Sequence, residues 1–121
     1  MYTIKENKIF YDGKLIYEAP WTISSSESYN DNLIINYNIP PEKESRFSSE
    51  DIYENVLCIN FNGQVKWRLP FPKKSTDGPT YQPDYHSMGK AKEGSFWAST
   101  GSYGHRFDPE TGEILETHFT H

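Results

Sequence analysis

Two proline-bearing stretches hold the side chains with most to offer a partner. Ile39 to Glu54 carries Glu42, Glu44, Glu50, Asp51 and Glu54 against Lys43 and Arg46, together with Phe47, Ile52 and Tyr53. Phe71 to Asp84 carries Phe71, Asp77, Tyr81 and Asp84, with Tyr85 at its exit. Rings supply contact area that gains from leaving water, and carboxylates around them steer a positively charged surface into place. The mixture suits a protein-binding patch for a basic partner. Pro72, Pro79 and Pro83 stiffen the second stretch and lower the entropy that docking would cost. The expected contact set is Glu42, Glu44, Phe47, Glu50, Asp51, Tyr53, Glu54, Asp77, Tyr81, Asp84 and Tyr85. The plainer reading is of solvated loop charges, with Phe47 and Phe71 tucked into the domain.

Little else is arranged for catalysis. His118 and His121 close the sequence without a cysteine at ligand spacing, so no metal is expected there. His86 and His105 could face each other on adjacent strands, although strand histidines are usually structural. The serine runs Ser24 to Ser26 and Ser48-Ser49 lack the glycine pattern of a nucleophile elbow. Gly101-Ser102-Tyr103-Gly104 follows a strand but opens no helix, which removes the phosphate-cradle reading. Cys58 lies in an apolar strand, where a thiol behaves as a small hydrophobe. Paired carboxylates of the kind that hydrolyse glycosides stay compatible with the composition, because their separation belongs to the fold. No catalytic residue, metal or cofactor is assigned, and the chain is expected not to be an enzyme.

The 121 residues carry 12 Lys and Arg against 17 Asp and Glu, a formal net charge of −5. That disfavours nucleic acid and anionic membrane as partners, since both attract basic patches. One cysteine allows no internal disulfide. No apolar leader follows Met1, and no apolar run is long enough to span a bilayer. The expectation is one cytosolic domain over residues 1–121.

The elements that must position the two stretches are strands. Aromatics make up 16% of the chain, and alanine, the best helix former, occurs only at Ala19, Ala91 and Ala98. Val56 to Phe61 and Val65 to Pro70 flank Asn62-Gly63, a strong hairpin signal because both turn residues tolerate positive φ. The same unit recurs around Asp12-Gly13 and at Asp108-Pro109-Glu110-Thr111-Gly112. Gly13, Gly63 and Gly112 are spaced at 50 and 49 residues, a period that indicates repeated four-stranded units. Leu33 to Tyr37 is apolar enough for a central strand. Ser24 to Tyr37 aligns without gaps on Ser87 to Thr100. The pattern predicts an antiparallel meander of about ten strands, with Lys8 to Tyr11 and Ile114 to Phe119 at its edges. Short turns alternate with long connections, so both long stretches should leave from the same rim.

Cys58-Ile59-Asn60, Gly63 and Trp67, with Phe107 to Leu115, resemble the repeat of quinoprotein-type β-propellers. The resemblance implies about two and a half blades, fewer than the four a closed propeller needs. Trp67 is matched by Tyr17 and Glu116 in the other copies. The fold expected is all-β, a partial propeller or a strongly twisted sheet. No quinone chemistry is carried over. In size, charge and architecture the chain resembles small bacterial immunity proteins, which implies binding and occlusion of a cationic toxin domain of the nuclease kind. The alternative is a carbohydrate-binding module that stacks sugars on Trp97 and Tyr103, and a small hydrolase ranks third. A homodimer through a sheet edge fits the same pattern.

Overall fold

The computed structural model describes residues 1–38, 54–70, 85–101 and 103–119, and every regular element among them is a strand. β1 (Tyr2–Lys5), β2 (Lys8–Tyr11) and β3 (Lys14–Glu18) form a first sheet in that order. β4 (Ile23–Tyr29), β5 (Asn32–Tyr37), β6 (Val56–Ile59) and β7 (Val65–Arg68) form a middle sheet. β8 (Ser87–Lys90), β9 (Phe96–Thr100), β10 (Tyr103–Phe107) and β11 (Ile114–Phe119) form a last one. Every pairing is antiparallel between strands consecutive in sequence. The protein is therefore all-β, and none of the three meanders closes into a barrel.

The middle sheet feeds two cores. Leu33, Ile35, Tyr37, Leu57 and Ile59 pack with Ile9 and Ala19, and with half-buried Ile4, Ile16 and Tyr17, on the side of the first sheet. Ile34, Val56 and Cys58 pack with Met88, Phe96, Ala98 and Phe107 of the last sheet. Alternate strand residues point to opposite faces, so both faces of β5 and β6 are covered. That is why these strands read as unbroken apolar runs. Each fully buried aliphatic side chain contributes about 1.5–3 kcal/mol, so the middle sheet is the energetic centre of the stack.

The sheets are also keyed at their turns. Trp67 Nε1 donates to the Pro109 carbonyl at 3.0 Å, and a Cβ on Gly112 would lie 2.5 Å from Trp67 Cε3. A Cβ on Gly63 would lie 2.0 Å from the Ile16 carbonyl oxygen. The glycine of each such turn thus receives the last strand of the preceding sheet.

The described residues hold eleven antiparallel strands in three sheets, in keeping with the expected all-β meander of about ten strands in repeated units. Two expectations are corrected. The added strand is β1, whose turn into β2 uses a positive φ at Glu6 rather than at a glycine. Lys8–Tyr11 is consequently the centre of the first sheet and not an edge. Finally, Asn62-Gly63 is not a two-residue turn. Asn60 N–H donates to the Gln64 carbonyl at 3.0 Å, and of the turn residues only Gly63 has positive φ. The Asn60 Oδ1 atom accepts from the backbone N–H groups of Asn62 and Gln64. An Asx turn thus tightens a three-residue loop.

Candidate functional site

The described ends of the two long stretches meet at one rim. Tyr37 and Asn38 lead into residues 39–53, and Glu54 and Asn55 lead out. Pro70 leads into residues 71–84, and Tyr85 leads out. Asn55 ties these ends together. Its Nδ2 donates to the Tyr37 carbonyl at 2.9 Å and to the Tyr85 carbonyl at 2.7 Å. Its Oδ1 accepts the Tyr85 N–H at 2.8 Å. Asn36 Nδ2 adds bonds to the carbonyls of Asn55 and Tyr85, each at 3.2 Å. The Tyr85 hydroxyl donates to the Pro70 carbonyl. One buried amide side chain thus acts as a piece of backbone where the ladders of the middle and last sheets run out, as buried polar groups require.

The network continues into the last sheet. His105 lies between two hydroxyls, with Nε2 2.7 Å from Thr100 Oγ1 and Nδ1 2.9 Å from Thr117 Oγ1. Its ring meets that of Tyr85 edge-on at 5.9 Å. Burial lowers the imidazole pKa. Asn36, Asn55, Thr100 and His105 are the buried polar residues among the described positions, and all four gather behind this rim. A histidine beside a threonine hydroxyl is a nucleophile-and-base pairing in form. Here Thr100 is fully buried and the second ring nitrogen meets a hydroxyl instead of an orienting carboxylate. The arrangement holds structure and offers a substrate no access.

Of the expected contact residues, Glu54 sits half-buried at the rim. Tyr85 is 1% exposed, so it anchors the chain ends and presents no face to a partner. Its place beside a proline-rich stretch suggested exposure, whereas its register above the core buries it. Glu42, Glu44, Phe47, Glu50, Asp51, Tyr53, Asp77, Tyr81 and Asp84 lie outside the described residues. His86 and His105 do not face each other, because β9 separates their strands. His86 meets the Gly101 carbonyl instead. Cys58 is fully buried, and burial pushes its thiol up to about 11, which removes it as a nucleophile at neutral pH. Among the described residues no three His, Cys, Asp or Glu side chains are grouped to hold a metal, and no helix is long and apolar enough to cross a membrane.

No protein-family model matches this chain. No curated protein matches it. Among solved structures, the computationally designed Ika8 protein shares 11% identity with it at a TM-score of 0.34, over 99% of this chain and 48% of that one. The chain spans about half the length of that protein, and a likeness at this level carries no inference.

A second surface lies on the outward face of the last sheet. Trp97 is opposite Gly89 on one side and Arg106 on the other, and Arg106 is opposite Glu116. The Trp97 ring lies 5.8 Å from that of His118, and its Nε1 donates to Ser95 Oγ at 2.8 Å. The Arg106 Nε donates to Glu116 Oε1, and His118 Nε2 lies 2.8 Å from Glu116 Oε2. These bonds hold the Glu116 carboxyl below its usual range, Arg106 foremost. Tyr103 pairs with Thr100 and stacks near His105, on the opposite face from Trp97. The two rings cannot form one platform.

Proposed function

We propose that this chain is a bacterial cytoplasmic immunity protein that binds and occludes a cationic toxin domain, of the nuclease kind, at the rim from which residues 39–53 and 71–84 depart. The observation that carries the reading is the Asn36–Asn55–Tyr85 network. A fully satisfied buried network at the base of two long segments holds their ends in one place, and long connections on a rigid scaffold are where binding concentrates. Composition supplies the sign. Residues 39–54 carry an excess of carboxylates, whereas Lys73 and Lys74 offset Asp77 and Asp84 in the second segment. The acidic character therefore comes from the first. A nuclease surface is basic because its substrate is anionic, so an acidic occluding patch gains both speed and specificity.

The test uses the immobilised chain against a lysate of its source cells. The wild type is expected to retain a protein of pI above about 9 at low salt. Equimolar wild type should abolish cleavage of plasmid DNA by that protein. The triple variant Glu50→Lys, Asp51→Lys, Glu54→Lys should lose both effects while keeping the wild-type melting temperature. Retention and inhibition that survive the reversal would remove the acidic rim from the mechanism.

The outward face around Trp97 favours a second reading, glycan binding. An indole with its N–H already bonded stands beside a guanidinium, a carboxylate and an imidazole on one exposed face, which suits stacking plus hydrogen bonding to a sugar. Quenching of tryptophan fluorescence by an oligosaccharide, insensitive to salt and lost in Trp97→Ala, would favour it over protein capture.

A further inference from the structure

The three sheets are repeats of one plan, and the first is a strand short. By turn positions and register, β1, β2 and β3 correspond to β5, β6 and β7, and to β9, β10 and β11. Among the described residues nothing in the first sheet corresponds to β4 or β8. The exposure of β4 shows the consequence. Ser25, Glu27 and Tyr29 are half-buried while Ser24, Ser26 and Ser28 are exposed. Glu27 pairs with Ile34, on the face toward the last sheet, where β8 packs against β4. Ser26 pairs with Ile35 and Ser28 with Leu33, on the face toward the first sheet. No described strand covers that face between the bond from Ile23 N–H to the Glu6 carbonyl at one end and the bond from the Tyr2 hydroxyl to the Asp31 carbonyl at the other.

The edge beside these serines is chemically ready. Asp12 N–H donates to the Met1 carbonyl at 3.0 Å, which sets the hydrogen-bonded pairs of β1 at Met1, Thr3 and Lys5. Tyr2 and Ile4 therefore aim their backbone N–H and C=O groups away from β2. Their side chains are half-buried and point toward the middle sheet. On the outer face, Lys5 lies directly opposite Lys8, and one carboxylate, Glu18, stands 3.9 Å from Lys8. Lys5 itself makes no ion pair among the described residues, so its ammonium group is open to a carboxylate.

We propose that the edge of β1 and the serine floor of β4 form a docking slot for one extended segment of a partner protein, which adds to the first sheet as its fourth strand. Four residues fill it, about 13 Å of strand. Their inward side chains are short and β-branched, to lie over Ser26 and Ser28 beside Ile4. Their outward side chains include a carboxylate beside Lys5. Main-chain bonds to Tyr2 and Ile4 supply the affinity, as in other strand additions. The serines keep the slot wetted when empty, so the open edge is not an aggregation hazard. This slot is separate from the rim that holds the long segments.

A tethered strand tests it. Replacing Met1 with Val-Glu-Thr-Glu-Val-Asn-Gly makes Tyr2 the first residue after a tight turn, as its outward N–H and C=O require, and presents the segment at high effective concentration. The fusion gives up only the exposed Met1–Asp12 ion pair, which contributes little. Amide exchange at Tyr2 and Ile4 is expected to slow at least tenfold relative to the unfused chain. The same peptide added in trans should shift those two amides at millimolar concentration. Ser26→Trp fills the slot from below and should restore fast exchange in the fusion, while leaving the unfused chain's melting temperature within about 2 °C. Unchanged exchange in the fusion overturns the proposal. So does protection of Tyr2 and Ile4 in the dilute unfused chain, which would mean that the chain covers its own edge. Protection that survives Ser26→Trp overturns it too.

Discussion

His105 shows how one residue can serve the architecture and set a pH limit on it. Both ring nitrogens are engaged by threonine hydroxyls, an arrangement in which a neutral ring donates once and accepts once. Burial lowers its pKa in the folded state. The unfolded chain protonates near the ordinary value of about 6.5, before the folded chain does. The contribution of His105 to stability is therefore complete above that pH. It is lost as pH falls through it toward the folded value, and no further below. Urea midpoints should fall between pH 7.5 and pH 5.5 in the wild type. His105→Gln keeps an amide able to meet both hydroxyls and should flatten that slope. A slope unchanged by the substitution would place the titration elsewhere. Asn55 makes the complementary point. A single amide satisfies three backbone groups at the junction of both long segments. Such a residue looks in sequence like any polar loop position, and only its burial distinguishes it.

At the scale of elements, the turn glycines separate two costs that are usually entangled. Gly13, Gly63 and Gly112 all have positive φ, at 84°, 81° and 77°. A Cβ on Gly13 would meet nothing within 4 Å, on Gly112 it would strike the Trp67 ring, and on Gly63 the Ile16 backbone. Alanine at Gly13 should cost only the backbone term, about 1–2 kcal/mol. Alanine at Gly112 adds overpacking of about 1–3 kcal/mol, and alanine at Gly63 should cost most because backbone yields least. Chemical denaturation of the three variants checks the order Gly63, Gly112, Gly13; equal losses would mean that the turns are not keyed to neighbouring sheets. These hairpins were legible because Asp-Gly, Asn-Gly and Thr-Gly announce themselves between apolar runs. β1 was not legible, since Tyr2–Lys5 has no glycine or proline punctuation. The Ser24–Tyr37 and Ser87–Thr100 alignment holds for β5 and β9. It slips by one between β4 and β8, because the turn at 92–94 is one residue longer than that at 30–31. Division into repeated sheets was legible from the spacing of the turn glycines, but not which faces the sheets cover. Which face of a strand is covered depends on contacts between repeats, and the same fact put Trp97 and Tyr103 on opposite sides. Of the candidate site, the sequence showed both long segments and their acidic bias, but not the Asn36, Asn55 and His105 network that gathers their ends.

The whole molecule is a stack, and a stack of repeats has to stop. Ile34, Cys58 and Trp67 form a cross-strand row on the middle sheet that faces the last sheet. The corresponding row on the last sheet is Trp97, Arg106 and Glu116. Two of its three apolar positions have become an ion pair, and the face looks outward. The first sheet ends likewise, with Thr3, Lys5, Lys8 and Glu18 around a single Phe10–Leu15 pair. Polar terminal faces are how repeat arrays remain soluble and finite. Burying the Arg106–Glu116 pair against another sheet would strip two charges of water for little return. The wild type should therefore scatter light as a 14.1 kDa monomer at tens of micromolar. Arg106→Val with Glu116→Trp rebuilds the apolar row of the middle sheet on the outer face. That variant should associate as concentration rises, with Trp97 and the new tryptophan supplying an aromatic surface of the kind that drives interfaces. A wild type that is already dimeric would show that charge on the last sheet does not end the stack. A variant that stays monomeric would show that the outward row is too small a patch to continue it.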